Sequence, residues 1–515
     1  MKTFIFFFII FILSLTTYLA PSLAWANDVC AEDLGSLPTL AGGRVKPLYV
    51  HAQEFLKFVT NKRSLAKMSA PSVYCYLSLG TSPQDRELKL TSPVGHVKLK
   101  KFLSLDDKVN EIAIETLLAQ DAQLKQEYQS ESQKSDPDES YKTEIGTTLS
   151  RLEHYKSVKD GLDWTIPTEV ASELKWIPIK EFAPSLAQDP VLSAKLQEAK
   201  TFFIKKQTDH YLLELLYAKA HLFSWAMLTT LLAMTAFVLL KKSLWGNILT
   251  FVSLGLELTA MTLRSLISGR APITNMYETV MFSGFGALVL ATVISLIKKE
   301  KIYMWGGLGY NFLCLFMMMF ANNMLDSSIA PLVPVLRDNF WLSTHLCSIM
   351  LSYGALALSW ILANIMLVRM RFFTISSKDV VYYTKVIHTC LKYGVVLLAA
   401  GIILGGILAD YSWGRFWGWD PKETWSLITL CIYMAILHGR YTSWISPERF
   451  ILITAGAFMS VMMAWFGVNY ILASGLHSYG FSTGGALFLG IFFALQISVM
   501  VICSFGGRRA DNRSC

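Results

Sequence analysis

The sequence predicts an all-α polytopic membrane protein of about nine spans, preceded by an N-terminal extracytoplasmic soluble domain. Three observations carry this expectation. Of 515 residues, 53% are hydrophobic and 16% charged, against about 25% charged in an ordinary soluble protein. Of the 84 Asp, Glu, Lys and Arg residues, 51 lie in the first 210 positions and 33 in the remaining 305. After position 215 the apolar residues gather into runs near the ~20 residues that cross a bilayer. This segregation excludes a single soluble enzyme, a disordered chain and a collagen-like or repeat protein.

In chain order, Met1-Lys2, an apolar run from Phe4 to Leu13 and Ala24-Trp25-Ala26 are the parts of a secretory signal over residues 1–26. The alternative is an uncleaved anchor, and either one exports the chain from residue 27 onward. Asn27-Asp28-Val29 before Cys30 argues against a lipoprotein. Residues 27–212 form the exported domain. Its middle, Gln120 to Gly146, is rich in Gln, Glu, Ser, Lys and Asp and reads as a loop or a solvated helix. Cys30 and Cys75 are its two cysteines; an oxidising compartment permits a bridge, and the sequence does not decide it. The chain has eight cysteines and no C-x-x-C, so a zinc ribbon or thioredoxin-type site has no support.

The membrane domain, 213–515, contains nine apolar runs: 217–240, 244–267, 279–297, 303–325, 345–368, 386–408, 424–438, 450–472 and 484–505. With the head outside, the inner connections carry 14 Lys and Arg residues, among them Lys241, Lys298, Arg369 and Arg440, and the outer ones four: Arg270, Arg337, Arg415 and Lys422. The positive-inside rule favours that orientation. It also accounts for the net charge of +8 without nucleic acid as a partner. The loops 326–344, 409–423 and 473–483 then share the outer side with the head.

The second of these loops, with the start of the next span, reads Trp413-Gly414-Arg415-Phe416-Trp417-Gly418-Trp419-Asp420-Pro421-Lys422-Glu423-Thr424-Trp425. Four of the chain's 14 tryptophans fall in these 13 positions. An interfacial belt scatters single Trp residues over many helix ends, whereas four around two glycines offer a rigid platform for a large planar apolar ligand. Gly414 and Gly418 leave room for such a ligand to approach the backbone. Asp420-Pro421 is a helix-start signal, with Asp420 as N-cap.

This stretch, 409–425, resembles the tryptophan-rich WWD signature of haem-handling proteins of cytochrome c maturation, and is most similar to the CcsA (ResC) family of the system II pathway. Arg270 to Thr279 resembles that family's N-x-Y-E-T segment, and Gly467 to Tyr479 its G-V-N and G-L-H-S-Y segment. Gly42 to Leu48 resembles the exported segment before CcsA in fused CcsB–CcsA proteins. The resemblance covers about 245 to 505. It implies that His345 and His477, at the edges of the outer loops flanking the Trp loop, are axial ligands on opposite faces of a haem. It implies that His438, ~20 Å below the outer surface by helical rise, holds a second haem paired with a histidine of a CcsB (ResB)-type subunit. No CcsB-like multispan segment precedes the head, so that partner is expected on another polypeptide; His388 is the internal rival.

Other polar residues have plainer readings. His221, near the first span's outer end, reads as structural. Cys314, Cys347, Cys390 and Cys431 read as small apolar residues. Glu257 and Arg264, seven residues apart on one helix face, are read either as a buried pair or as contacts to a haem propionate. Arg415 and Lys422 stand beside the platform and suit propionates or lipid phosphate.

The expected function is attachment of haem b, as bound substrate, to the C-x-x-C-H segment of an apocytochrome c at the outer face of a bacterial cytoplasmic membrane. A CcsB-type subunit, the apocytochrome and a thiol-reducing thioredoxin-like protein are the expected partners, and no catalytic acid or base is identified. Two readings compete: a haem exporter or carrier without ligation activity, and a bis-His electron-transfer membrane cytochrome. An electron carrier usually keeps its ligands within spans, and an exporter needs no exported domain of this size.

Overall fold

The computed structural model describes residues 29–31, 33–65, 68–81, 88–170, 172–183, 191–238, 240, 243–321, 324–329, 339–472 and 485–504. The expected signal, 1–26, and His477 lie outside them. The chain divides into two compact units, 1–218 and 219–515.

The first unit is a small α+β domain. Three antiparallel hairpins pair β1 (Pro38–Ala41) with β2 (Arg44–Pro47), β3 (Thr91–Pro93) with β4 (Glu111–Ala113), and β5 (Thr165–Val170) with β6 (Glu173–Pro178). They surround helices α1 (Leu48–Thr60), α2 (Ala70–Leu79), α3 (Asp121–Ser132), α4 (Glu139–Lys159) and α5 (Leu192–Lys206). Ser69 caps α2, Pro71 sits in its first turn, and Gly80 ends it in the left-handed region at φ 63°, as helix-terminus chemistry favours. One core joins Leu56 and Val59 of α1, Val73 and Tyr74 of α2, Ile145 and Leu152 of α4, and Trp164. The polar stretch 120–146 is the solvated helix of the two expected readings: α3 and the start of α4, with Leu124, Tyr141 and Ile145 turned inward. Cys30 and Cys75 are disulfide-bonded.

Beneath α1, Asp163 accepts hydrogen bonds from Tyr74 Oη at 2.7 Å and His51 Nε2 at 2.8 Å. Burial alone pushes this carboxyl up; the bonds and charge of His51, together with Tyr74, outweigh it and hold the group below its usual range. A depressed folded-state value stabilises the fold above the unfolded carboxylate range, and the contribution disappears as pH falls through the folded value. Asp163→Asn should therefore destabilise the domain by roughly 1–3 kcal/mol at neutral pH. Thermal unfolding of the full-length protein at neutral pH and at about pH 3 should show the gap from wild type narrowing in acid.

The second unit is a helical bundle. Among the described residues, eight helical segments are long and apolar enough to cross a membrane. The first, Leu212–Phe237, begins in the last residues of the first unit and consists of α6 (Leu212–Ala220) and α7 (Leu222–Val238), interrupted at His221 with φ 48°. Next come α8 (Ser243–Ser268), α9 (Met276–Lys298), α10 (Ile302–Phe320), α11 (Asn339–Phe372) and α12 (Ser377–Trp413). After α13 (Pro421–Tyr441) come α14 (Pro447–Met462), a π-helical turn Met463–Gly467 and α15 (Gly485–Ser504).

The seventh expected span, 424–438, is α13 and is not among these eight. Its 21 residues extend about 31 Å at 1.5 Å per residue, enough to cross, but Lys422, Glu423, His438 and Arg440 at its ends make it the least apolar. Helix α12, 37 residues long, reaches well beyond a bilayer because Ser377 to Lys385 add polar turns before its apolar run.

Of the two readings of Glu257 and Arg264, the mutual pair is not formed. Arg264 Nε donates to Glu278 Oε1 at 2.7 Å, and its other nitrogens donate to the Ser327 and Ser328 carbonyls at 2.9 and 3.0 Å. The carboxyl partner lies across the helix–helix contact on α9 because Glu278 is also fixed there by Thr274 N and Oγ1. Periodicity put Glu257 and Arg264 on one face; it could not rank partners on other helices.

Candidate functional site

At the end of the bundle where α12 meets α13, a largely apolar cavity with about 1220 Å³ of empty space, part of it open to solvent, lies between four chain segments. One is the stretch Ile273 to Thr279 at the start of α9. The second is the first turns of α11, including His345, Ile349 and Tyr353. The third is the end of α12 with the loop after it, and the fourth is the π-helical turn with Ala464 and Trp465.

The loop is held by its own termini. Gly414, at φ 69°, is the left-handed C-cap of α12 and returns its N–H to the Asp410 carbonyl. Asp420 caps α13 as expected, accepting from Glu423 N at 3.0 Å. Glu423 Oε2 in return accepts from Gly418 N at 2.6 Å and Asp420 N at 3.4 Å, completing a capping box. Of the two glycines, Gly414 terminates a helix, and a Cβ on Gly418 would meet the Arg415 guanidinium.

Trp413 and Trp417 line the cavity, with Lys422 and Glu423. Trp417 Nε1 is buried without a hydrogen-bond partner among the described residues, a donor that a bound polar group would satisfy. Trp419 meets Trp417 edge-on at 5.9 Å but does not line the cavity; it is 70% exposed. Its φ of 57° is costly for a bulky residue. Trp425 lies within α13 and off the cavity wall.

His345 stands on the wall opposite the loop. Its Nδ1 donates to the Gly401 carbonyl at 2.8 Å. That bond selects the tautomer in which Nε2 is the unprotonated nitrogen, as a metal-ligating imidazole requires. The ring also lies against Gly405, where a Cβ would come within 2.7 Å of Cε1 and 2.9 Å of Nδ1. Gly405→Ala should displace the imidazole while leaving every polar group in place. On the expectation that the cavity takes haem with His345 as ligand, the check is the haem absorption spectrum, which should show weakened or altered axial ligation.

His438 is at the other end of α13, about 26 Å from Pro421 by helical rise, exposed and edge-on to Trp444 at 6.0 Å. His388 is near the same end but packs against Tyr441 and Phe450. The two histidines therefore have different aromatic neighbours. Neither belongs to the cavity of His345.

Sequence reasoning did not single out Trp465, whose Nε1 donates to Thr279 Oγ1 at 3.1 Å, nor Asn275 and Tyr353 on the cavity wall. Asn275 and Thr279 sit inside the quoted N-x-Y-E-T segment, so the signal was present. Trp465 is turned to the cavity by a π-turn, a feature common near functional sites that no periodicity announces.

Residues 273–477 match the family model described as cytochrome C assembly protein, which contains the cavity segments. The chain is 34% identical over 243 residues to the cytochrome c biogenesis protein CcsA of Guillardia theta, covering 42% of this chain and 79% of the relative. It is 32% identical over 276 residues to the CcsA of Pyropia yezoensis, covering 44% and 84%. Protein NrfI of Wolinella succinogenes is 32% identical over 243 residues, but the chain spans only 26% of its length. Fold and site together define a polytopic membrane protein of cytochrome c assembly. The chain belongs to the CcsA family of cytochrome c biogenesis proteins.

Proposed function

We propose that the cavity binds haem b as substrate and presents it to the C-x-x-C-H segment of an apocytochrome c at the extracytoplasmic face of a bacterial cytoplasmic membrane. The observation that carries this reading is His345, on the cavity wall with Nδ1 donating to the Gly401 carbonyl; Nε2 is the proposed iron-binding nitrogen. His477 is the proposed ligand on the opposite face. Trp413 and Trp417 supply flat apolar surface, and Lys422, on the cavity wall, is the proposed partner of a propionate. Two imidazoles fill both axial positions and keep oxygen from the iron. Each cysteine thiol of the substrate then adds across a haem vinyl, sulfur to one carbon and hydrogen to the other, with no leaving group. The protein's part is binding and orientation.

Trp419 and Phe416, exposed at the rim, are the proposed apocytochrome contacts. His438 is proposed to hold a second haem with a CcsB-type partner, and a thioredoxin-like protein to keep the substrate thiols reduced. Co-expression with such a partner and a C-x-x-C-H substrate tests the reading. Covalent haem on the substrate supports it; haem in the purified protein with no covalent product makes the chain a carrier.

Trp417→Leu with Trp413→Leu should lower haem occupancy while insertion stays normal, since Leu keeps apolarity and loses the stacking face. Haem content per purified protein is the check.

A further inference from the structure

Away from the cavity, Glu257 of α8 is completely buried in the bundle. Its Oε1 accepts from Asn311 Nδ2 of α10 at 2.7 Å and from Ser253 Oγ at 3.1 Å. Its Oε2 has no partner among the described residues, and neither has Asn311 Oδ1. Two side chains already joined through one atom pair thus each hold an unpartnered buried acceptor. An ionised carboxylate would leave Oε2 as a bare anion in an apolar bundle, a costly arrangement. Even Oε1 is poorly supplied, because the single Ser253 proton is also within reach of the Ala226 carbonyl at 3.2 Å, and Thr230 Oγ1 lies 2.7 Å away.

A proton on Oε2 removes both deficits, since Oε2–H can donate to Asn311 Oδ1 and close an acid–amide pair. No neighbouring charge among the described residues opposes it. Arg264, on the same helix, is committed to Glu278 of α9 and two carbonyls. Helix α7 presents Thr230 and has no charged residue between Leu222 and Val238. Helix α10 presents Asn311, Tyr310 and the Cys314 thiol.

Those last groups also lead somewhere. The Cys314 thiol lies against the Tyr310 hydroxyl, which is 3.0 Å from Ser283 Oγ on α9. One helical turn further along the same face, Thr279 is on the cavity wall.

We propose that Glu257 is a proton-carrying group of the membrane domain, a neutral carboxyl paired with Asn311 whose proton exchanges with the cavity along the polar row of Cys314, Tyr310 and Ser283. This does not depend on what the cavity binds. Infrared spectroscopy of the full-length protein in lipid nanodiscs, without haem, tests it. A carboxylic-acid carbonyl band at neutral pH should shift in D₂O, be absent from Glu257→Gln and move in Asn311→Ala, the second variant covering a failure of the first to fold. Ser283→Ala with Tyr310→Phe should keep the band and slow its deuterium exchange by at least about tenfold, a barrier increase of roughly 1.4 kcal/mol. A spectrum unchanged by Glu257→Gln overturns the proposal. So does a band seen only when Na⁺ is withdrawn, which would make the paired oxygens a cation site, or exchange indifferent to Ser283 and Tyr310.

Discussion

His345→Ala should abolish cytochrome c maturation while leaving the protein inserted and folded. The imidazole is the cavity's one histidine among the described residues, and its tautomer is set by a backbone carbonyl on α12 rather than by a side chain that could adjust. Removing it opens an axial position, so retained haem should turn five-coordinate or take an adventitious ligand. Added imidazole should restore part of the spectrum and part of the maturation by filling that position. The same rescue should hold for His477→Ala, and the double variant should lose the cavity haem. Wild-type haem content in the double variant would end the external-ligand reading. His438→Ala should behave differently, leaving the cavity spectrum intact, because the helix separates the two ends.

Glu278→Ala should be among the most damaging substitutions outside the cavity. It removes the carboxylate partner of Arg264, and both side chains are buried, at 0% exposure for Arg264 and 1% for Glu278. An uncompensated buried guanidinium costs on the order of 3–5 kcal/mol, and in a membrane bundle water cannot easily reach it. The loss should spread to the cavity, because Glu278 also binds Thr274 N and Oγ1 and its own N–H is capped by Asn275; Thr274 and Asn275 are cavity residues. The expected result is low recovery of membrane-inserted protein and early thermal aggregation. Arg264→Met with Glu278→Met, which deletes both charges at similar volume, should recover most of the stability. If Glu278→Ala alone behaves like wild type, the pair is not holding the bundle end together.

The membrane domain was legible in sequence because bilayer crossing is a property of composition and length. Nine apolar runs became eight strongly apolar segments and α13, whose polar ends lowered its hydropathy without shortening the helix. Local chemistry was equally legible: Asp420 caps α13 as its Asp-Pro signal suggested. Features that depended on tertiary packing were not. Arg264 pairs with Glu278 on another helix rather than with Glu257 on its own, a choice that periodicity within one helix cannot show. Gly414 ends α12 in the left-handed region and Gly418 lies against the Arg415 side chain, local needs that look the same in sequence as room for a ligand. Trp413 and Trp417 reach the cavity while Trp419 and Trp425 do not, because the chain reverses direction within the loop. The Cys30–Cys75 bridge required a distance that spacing alone cannot supply.

The most direct test of the proposed haem-binding cavity is a structure of the protein isolated with haem, read for the position of the iron. Iron should lie within bonding distance of His345 Nε2, with the porphyrin between His345 and His477 and against the faces of Trp413 and Trp417. Iron bound only at the His438 end, with the His345 cavity filled by lipid or water, would contradict that assignment.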